Sequence, residues 1–483
     1  MRKFTRRNFF EESMIATAVA AGAGSLGSVV IAEDDAGKTS PNETIRHAVL
    51  GCRIRGKVHA AEFGRMEGVE IAYVCDPDSQ LAGELAAAVE KNTGKRPQVV
   101  QDLRRVFDDK SVDTVSVAAP NHWHALAAIW AMQSGKDVYV EKPVSHNIVE
   151  GRRMVQVARK TGRICQGGTQ NRSRGDLAAV EKFIREGKLG DVSLIRSIVY
   201  GGRGSIGVPG ACEIPSYVDF NLWLGPGTQS NLTRPKLHYD WHWVWDTGNG
   251  ELGNNNIHYV DICRWLVGLE GLGDSVLSFG GRLGYQDAGE TPNTQVVVHT
   301  FGKKTIVQEV RGLKTDPFSS KFKAGYVVHG TEGFIAEETL FDPDGKVVQK
   351  FDGPNVNHFA NFMDCVRSRK REDQKAEILE GHQSTGLCHV GNISYRLGKP
   401  TTVADLEKQI GAANLHEDVA KTLHRMTAHL DAHKIDFAKS PLIAGPLLRI
   451  DPSAESFVNN ASASALLGRE YRKPFVLPSE KDI

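Results

Sequence analysis

The chain has no Cys-x-x-Cys pair, no block of five or six like charges, and no excess of one charge sign. Its seven cysteines, scattered from Cys52 to Cys388, form neither a disulfide framework nor a zinc site. Lys+Arg 59 against Asp+Glu 58 leaves +1, so no basic face exists to displace the counterions of a nucleic acid. With 40% hydrophobic and 24% charged residues the chain is neither disordered nor a multi-span membrane protein. What it has in excess is glycine, 49 of 483 residues, or about 10% against a usual ~7%. That predicts many turns and at least one place where backbone approaches a ligand closely. At 483 residues the chain is too long for one ordinary core.

The first 32 residues read as an address. Arg6-Arg7 followed by Phe9-Phe10 precedes an uncharged run from Met14 to Ala32, the pattern of a twin-arginine export signal. Nineteen uncharged residues could also span a bilayer, but twelve of them are Ala, Gly, Ser or Thr, which gain little from lipid. Cleavage after Ala32 predicts a periplasmic protein with no stable membrane insertion; an uncleaved signal would anchor it. Removing four basic and two acidic residues leaves the remainder near −1. Residues 33–44 read as a linker.

From Ile45 the pattern becomes strand, glycine loop, helix, strand, acid. A strand at 45–50 runs into Gly51-Cys52-Arg53-Ile54-Arg55-Gly56, a helix follows from Lys57, and a strand at 69–75 closes on Asp76. Gly51 allows the tight turn, and the helix N-terminus offers free N–H groups to a pyrophosphate. Asp76 would accept ribose hydroxyls and repel a 2′-phosphate, favouring NAD over NADP. Arg53 stands where the usual motif has its second glycine, and alone the loop equally suits an ordinary strand–turn–helix corner. Further βα units follow: a strand at 112–118, Pro120-Asn121-His122-Trp123-His124, a helix from about Ala125, a strand at 137–140 and Glu141-Lys142-Pro143. They predict a right-handed parallel sheet with ligands at the carboxyl ends of its strands.

In this order and spacing, the glycine loop, Pro-Asn-His and Glu-Lys-Pro resemble the glucose–fructose oxidoreductase / inositol dehydrogenase (Gfo/Idh/MocA) family. Residues 250–266 and 381–400 are similar to its exported, twin-arginine-signalled bacterial branch. The resemblance implies an α/β chain. A Rossmann-type NAD-binding domain over 45–165 is followed by an α+β substrate domain over 166–400, with a mostly antiparallel open sheet. The β-rich runs 192–200, 294–300, 304–313 and 325–337 agree, as do helical patterns at 359–369 and 379–397. Residues 401–483 remain a C-terminal extension with a helical stretch near 406–433 and an irregular tail. The family also implies a homo-oligomer through the outer face of the second sheet.

The resemblance implies roles residue by residue. Lys142 would reach nicotinamide and substrate, and Gly51, Arg53, Ile54, Arg55, Asp76, Pro120, Asn121, His124 and Glu141 would line the cofactor. The family's Asp-x-x-x-His pair falls on Asn254 and His258, catalytic in the family, with Asp261 three residues on. An amide cannot take a proton, so His258 would turn to Asp261 or to substrate; a buried core histidine is the alternative. Trp241, Trp243 and Trp245 alternate with His242, Val244 and Asp246, which on an extended strand would give one aromatic face for a sugar ring. Aromatics anchoring a loop would read the same. Gln170, Asn171 and Arg172 are candidate substrate contacts. His122 and His124 lack an acidic cluster, and no metal is expected.

The leading reading is an NAD-dependent oxidoreductase acting on a carbohydrate or polyol hydroxyl, with cofactor loaded before export and recycled in place. A redox-neutral NAD-dependent glycosidase of the same superfamily is the alternative, and a non-catalytic sugar- or nucleotide-binding protein a third.

Overall fold

A computed structural model describes residues 44–318 and 322–483; the expected signal and nearly all of the linker lie outside these residues. Residues 44–483 cluster as one unit built on two sheets. The first contains β1 (Ile45–Leu50), β2 (Val69–Cys75), β3 (Gln98–Val100), β4 (Thr114–Val117), β5 (Asp137–Val140) and β6 (Cys165–Gly167). They lie in the order β3-β2-β1-β4-β5-β6 with every pair parallel. Helices cover both faces, so β4 and β5 are buried along their whole length, which is why they read as apolar runs rather than alternating ones. Because β6 pairs with β5, a boundary at 165/166 would cut the last strand of this sheet.

Caps start and stop the helices. Asp78 accepts the Gln80 and Leu81 N–H groups at the head of Ser79–Thr93, and Gly94 ends that helix with φ 74°. Asn147 caps Ile148–Thr161 in the same way. The helix expected from Ala125 begins at Asn121. Its polar first turn is tertiary rather than solvated: Asn121 donates to Asn249 Oδ1 at 3.0 Å, and the His122 ring lies against the Thr247 and Trp223 carbonyls.

The second sheet comprises β7 (Leu194–Tyr200), β8 (Ser275–Gly281), β9 (Thr294–Phe301), β10 (Lys304–Arg311), β11 (Ala324–Gly330), β12 (Gly333–Ala336), β13 (Thr339–Phe341), β14 (Val347–Lys350), β15 (Lys399–Thr401) and β16 (Leu442–Ala444). The order is β14-β13-β12-β11-β7-β10-β9-β8-β16-β15, antiparallel except for β7 beside β10. The β-run at 325–337 is thus a hairpin turning at Thr331-Glu332.

One face of this sheet packs on Ile257–Leu266 and Ile378–Arg396, through Val260, Ile262, Leu387 and Val390. The other, over β7 to β10, is covered by Val403–Ala412 and Asp418–Ala432, whose Leu406, Val419, Leu423 and Met426 meet Leu277, Phe279, Val296 and Val298. The single helical stretch expected there is two helices, interrupted near Asn414 at φ 49°. Over β7 to β10, the sheet face expected to carry a second subunit is covered by the chain's own helices. The tail is not an appendage either. It supplies β16 and a strand at Leu448–Asp451 against β8, and it places Phe475, 1% exposed, among Trp123 and Trp130 of the first sheet's core.

Candidate active site

The glycine loop leaves β1 with the Gly51 N–H donating to the Cys75 carbonyl at 2.8 Å. Gly51 has φ +90°, and a Cβ there would lie 2.6 Å from the Ala118 carbonyl carbon. A Cβ on Gly56 would lie 1.8 Å from the Gly51 oxygen, so these two glycines seat the helix Ile54–Gly64 directly on the loop. Arg53 sits at φ −87°, outside the left-handed region that demands glycine, and the residue is exposed. No side chain caps this helix, and Ile54 on its first turn is 42% exposed. Asp76 accepts the Cys52 N–H at 2.7 Å and the Asp78 N–H at 2.9 Å, fastening the loop to β2. Burial raises its pKa. With one N–H on each oxygen, lone pairs remain for a hydroxyl. A cradle with no room for a Cβ, an uncapped helix N-terminus and a carboxylate at the next strand end fit a dinucleotide.

A second segment lies over the same edge. The His238 ring bonds Asp78 at 3.0 Å, the Ser79 N–H donates to the Tyr217 carbonyl at 3.0 Å, and the Asp219 N–H donates to the Pro77 carbonyl at 2.9 Å.

At the end of β5, Glu141 is buried, and its Oε1 accepts Arg55 Nε at 2.8 Å, Arg55 Nη2 at 2.6 Å and His59 Nε2 at 3.0 Å. Although burial opposes it, the Arg55 charge and the His59 bond hold its pKa well below the usual carboxylate range. Arg55 thus turns inward to Glu141, and Glu141 Oε1 anchors the strand end to the loop helix. His124 is likewise sequestered, its two ring nitrogens 2.6 Å and 2.7 Å from the Pro143 and Ala119 carbonyls. Asn121, 2% exposed, is committed to Asn249. Pro120 stays half-buried at the head of the helix.

Lys142 is half-buried, and its Nζ donates to the Asn254 carbonyl oxygen at 2.7 Å. Burial pushes its pKa down to about 8. Asn254 lies in a π-turn, Leu252–Asn256, in which the Ile257 N–H reaches back to Leu252. Such turns release carbonyls from the regular helical ladder, and Lys142 uses this one. The helix Ile257–Leu266 then carries His258, whose Nδ1 is buried without a hydrogen-bond partner. Burial, aided by the Lys142 charge, lowers its pKa to about 3, so the ring is neutral.

Asp261 belongs elsewhere. Fully buried, it accepts three hydrogen bonds of 2.9–3.0 Å from Arg172 and one from Ser384. It is therefore no relay for His258, and Arg172 is no free substrate contact: the buried guanidinium and the Ser384 hydroxyl take up the Asp261 carboxylate. Gln170 and Asn171 remain half-buried, and Gln170 Oε1 lacks a partner.

The tryptophan segment is not extended. Asp240–Trp243 is a 3₁₀ turn, so the alternation that would align the three indoles is lost. Trp243 is buried with the Arg203 guanidinium 5.5 Å above it, Trp245 lies against Arg396, and Trp241 stacks on His242 at 3.6 Å. Three residues not singled out from sequence converge here. Burial, with the Lys142, Arg203 and Arg53 charges, drives the His242 pKa to about 3. Arg203 donates to Glu251 at 3.1 and 2.9 Å and to the Tyr239 hydroxyl at 3.1 Å. Glu251, 3% exposed, accepts Asn254 Nδ2 at 3.3 Å. Glu251 lies one turn before Asn254, a spacing visible in the sequence; Arg203 is nearly fifty residues away and carries no such signal.

Comparison with known proteins agrees in both halves. Residues 45–169 match the oxidoreductase family, NAD-binding Rossmann fold, and residues 202–426 match the oxidoreductase family, C-terminal alpha/beta domain. A glycosyl hydrolase family 109 protein of Akkermansia muciniphila is 30% identical over 155 residues, 31% of this chain and 32% of that protein. One from Shewanella baltica is 28% identical over 207 residues, 40% of this chain and 45% of its own length. The matches thus span a third to less than half of these relatives. Among solved structures, the WlbA dehydrogenase from Bordetella pertussis, in complex with NADH and UDP-GlcNAcA, aligns with TM-score 0.53 at 21% identity, covering 71% of this chain and 94% of that one. GenD2 from gentamicin A biosynthesis, in complex with NAD, aligns with TM-score 0.51 at 18% identity, covering 76% and 96%. Matched in order along both sheets, the chain belongs to the Gfo/Idh/MocA oxidoreductase family, and its first sheet is that family's NAD-binding Rossmann fold.

Proposed function

We propose that the protein is an NAD-dependent oxidoreductase acting on a hydroxyl of a carbohydrate or polyol. One observation carries this reading: the Lys142 amine, with its pKa brought down to about 8, stands beside a neutral His258 whose Nδ1 has no partner. Gly51, Gly56, the helix N-terminus at Ile54 and Asp76 would hold the cofactor, and Asp76 favours NAD over NADP. When bound, NAD supplies the hydride acceptor. Lys142 as the free amine takes the hydroxyl proton, and the Asn254 carbonyl orients its Nζ. His258, neutral, hydrogen-bonds the same oxygen and keeps it in line.

Because the free amine is the working form, turnover in the oxidising direction rises with pH through about 8 and levels off above it. Denaturing the purified protein and assaying released NAD(H) tests the cofactor. No bound nucleotide together with no NAD affinity overturns the reading.

A second reading is supported by the family 109 relatives at 28–30% identity and by Asn254 at the acid's position. It is a redox-neutral glycosidase that oxidises the sugar transiently and regenerates NAD. A panel of chromogenic glycosides separates the two, since release of the aglycone without net NADH belongs to the glycosidase alone. The sugar-nucleotide complex of the WlbA dehydrogenase, and the carbohydrate class of both sets of relatives, support a small carbohydrate as substrate. We place the protein in the periplasm, exported folded on its Arg6-Arg7 signal; replacing both arginines with lysine should leave it in the cytoplasm, and unchanged export would refute the route. A homo-oligomer, if light scattering detects one, would use a surface other than the face under residues 403–432.

A further inference from the structure

We infer that Glu251, clamped by Arg203, is the positioning carboxylate of this site, standing in for the acid that Asn254 replaces and setting both the place and the charge balance of Lys142. The inference rests on the proposed role of Lys142 as proton acceptor.

The geometry forms a chain of contacts. Arg203 grips Glu251 with two donors, at 3.1 Å from Nε to Oε2 and 2.9 Å from Nη2 to Oε1. Glu251 Oε2 accepts the Asn254 side-chain amide N–H at 3.3 Å, and the main-chain carbonyl of Asn254 accepts Lys142 Nζ at 2.7 Å. Glu251 is 3% exposed, and burying a carboxylate is costly unless a charge and hydrogen bonds compensate it. The chain places that acid in the turn preceding the π-turn rather than at position 254. The carbonyl that holds Lys142 is the main-chain carbonyl of residue 254, and the Asn254 side-chain amide, bonded to Glu251, fixes that residue in the π-turn without itself taking a proton.

The charges around Lys142 are few. Glu141 and Glu251 favour its cation, while burial, the largest influence, acts with Arg55 and Arg203 against it. The neutral rings of His258 and His242 complete the surroundings. Removing Glu251 deletes a negative charge and leaves Arg203 uncompensated, so the free amine should appear at lower pH. Removing Arg203 leaves Glu251 uncompensated and should have the opposite effect. A residue that serves only to hold the fold together would not produce shifts of opposite sign.

The test pairs Glu251→Gln with Arg203→Met and adds Glu251→Asp as the charge-preserving variant. In pH profiles of kcat with the native enzyme's substrate, the acid limb should fall by ~1 pH unit in Glu251→Gln and rise by a similar amount in Arg203→Met. In Glu251→Asp it should return to within a few tenths. For Glu251→Gln, kcat should drop roughly tenfold with KM little changed. The same titration is read without turnover from the lysine side-chain carbon resonances of ¹³C-lysine-labelled protein, the Lys142 signal being the one absent in Lys142→Arg. That readout separates two failures. If no substrate is turned over but the Lys142 resonance shifts in opposite directions in the two variants, the proposed reaction fails and the positioning pair stands. If the resonance titrates as in the native protein in both variants, or moves the same way in both while thermal denaturation shows them folded, the inference is overturned.

Discussion

Replacing Lys142 with methionine should lower kcat about a thousandfold, because a positioned acid–base group contributes 10²- to 10⁴-fold. Methionine has nearly the reach of lysine and none of its protons, so it deletes the chemistry while leaving the volume. The fold should survive, since among the described residues Nζ bonds only the Asn254 main-chain carbonyl, on a π-turn held independently by Glu251 and by the Ile257-to-Leu252 bond. Bound NAD should therefore be released on denaturation in the same amount as from the native protein. Lys142→Arg should be nearly as inactive, because a guanidinium keeps its proton at any working pH. Steady-state kinetics and NAD content on the same preparations decide the matter. A loss of less than tenfold in the methionine variant would remove Lys142 from the proton transfer.

The second large effect is expected at Gly51. Alanine there would force a side chain into φ +90° and set its Cβ 2.6 Å from the Ala118 carbonyl carbon, closer than real Cβ contacts come. The obstacle is backbone on both sides, so β1 and β4, which pair through Leu50 and Val117, would have to part. The strained conformation and the clash together should cost about 3 kcal/mol or more. Because the same turn presents the Cys52 N–H to Asp76, bound NAD should be lost as well. The control is Gly83→Ala, within the helix Ser79–Thr93, where a Cβ meets nothing within 4 Å. That change should stabilise the fold by up to ~1 kcal/mol and leave NAD content alone. Urea denaturation reads both; a Gly51→Ala protein of native stability with its NAD intact would refute the cradle.

Local signals were reliable where chemistry and backbone geometry are local. The glycine loop, the parallel strands of the first sheet and the Glu-Lys-Pro end of β5 were legible because apolar β-branched runs bounded by glycine and proline allow few alternatives. His258 was singled out through the family's Asp-x-x-x-His motif, whose leading position is Asn254 here. The Trp241–Trp245 segment was misread because alternation has meaning only in an extended strand, and a 3₁₀ turn uses the same residues differently. The tail was undervalued because its strands are two to four residues long, too short to show a period, and gain their stability from β8 and β15, formed far away in sequence.

Side-chain partnership was the least legible layer. Arg55, Asn121, His124, Arg172 and Asp261 all have chemistry suited to a ligand, and each is already engaged within the protein. Hydrogen-bond capacity is a property of the residue, but its use depends on which strand end or helix turn comes within 3 Å. For the same reason Arg203 and Glu251 emerge only in three dimensions, where β7's exit and the π-turn converge. The amino-acid sequence by itself determined the two-sheet plan and the tight glycine turn, through short-range sterics and hydrophobic pattern, and its motifs carried the family resemblance from which the roles of Lys142 and His258 are inferred. The tertiary structure alone decided which charges are engaged: burial makes an unpaired charge so costly that distant segments must pair, as Arg55 does with Glu141, Arg172 with Asp261 and Arg203 with Glu251.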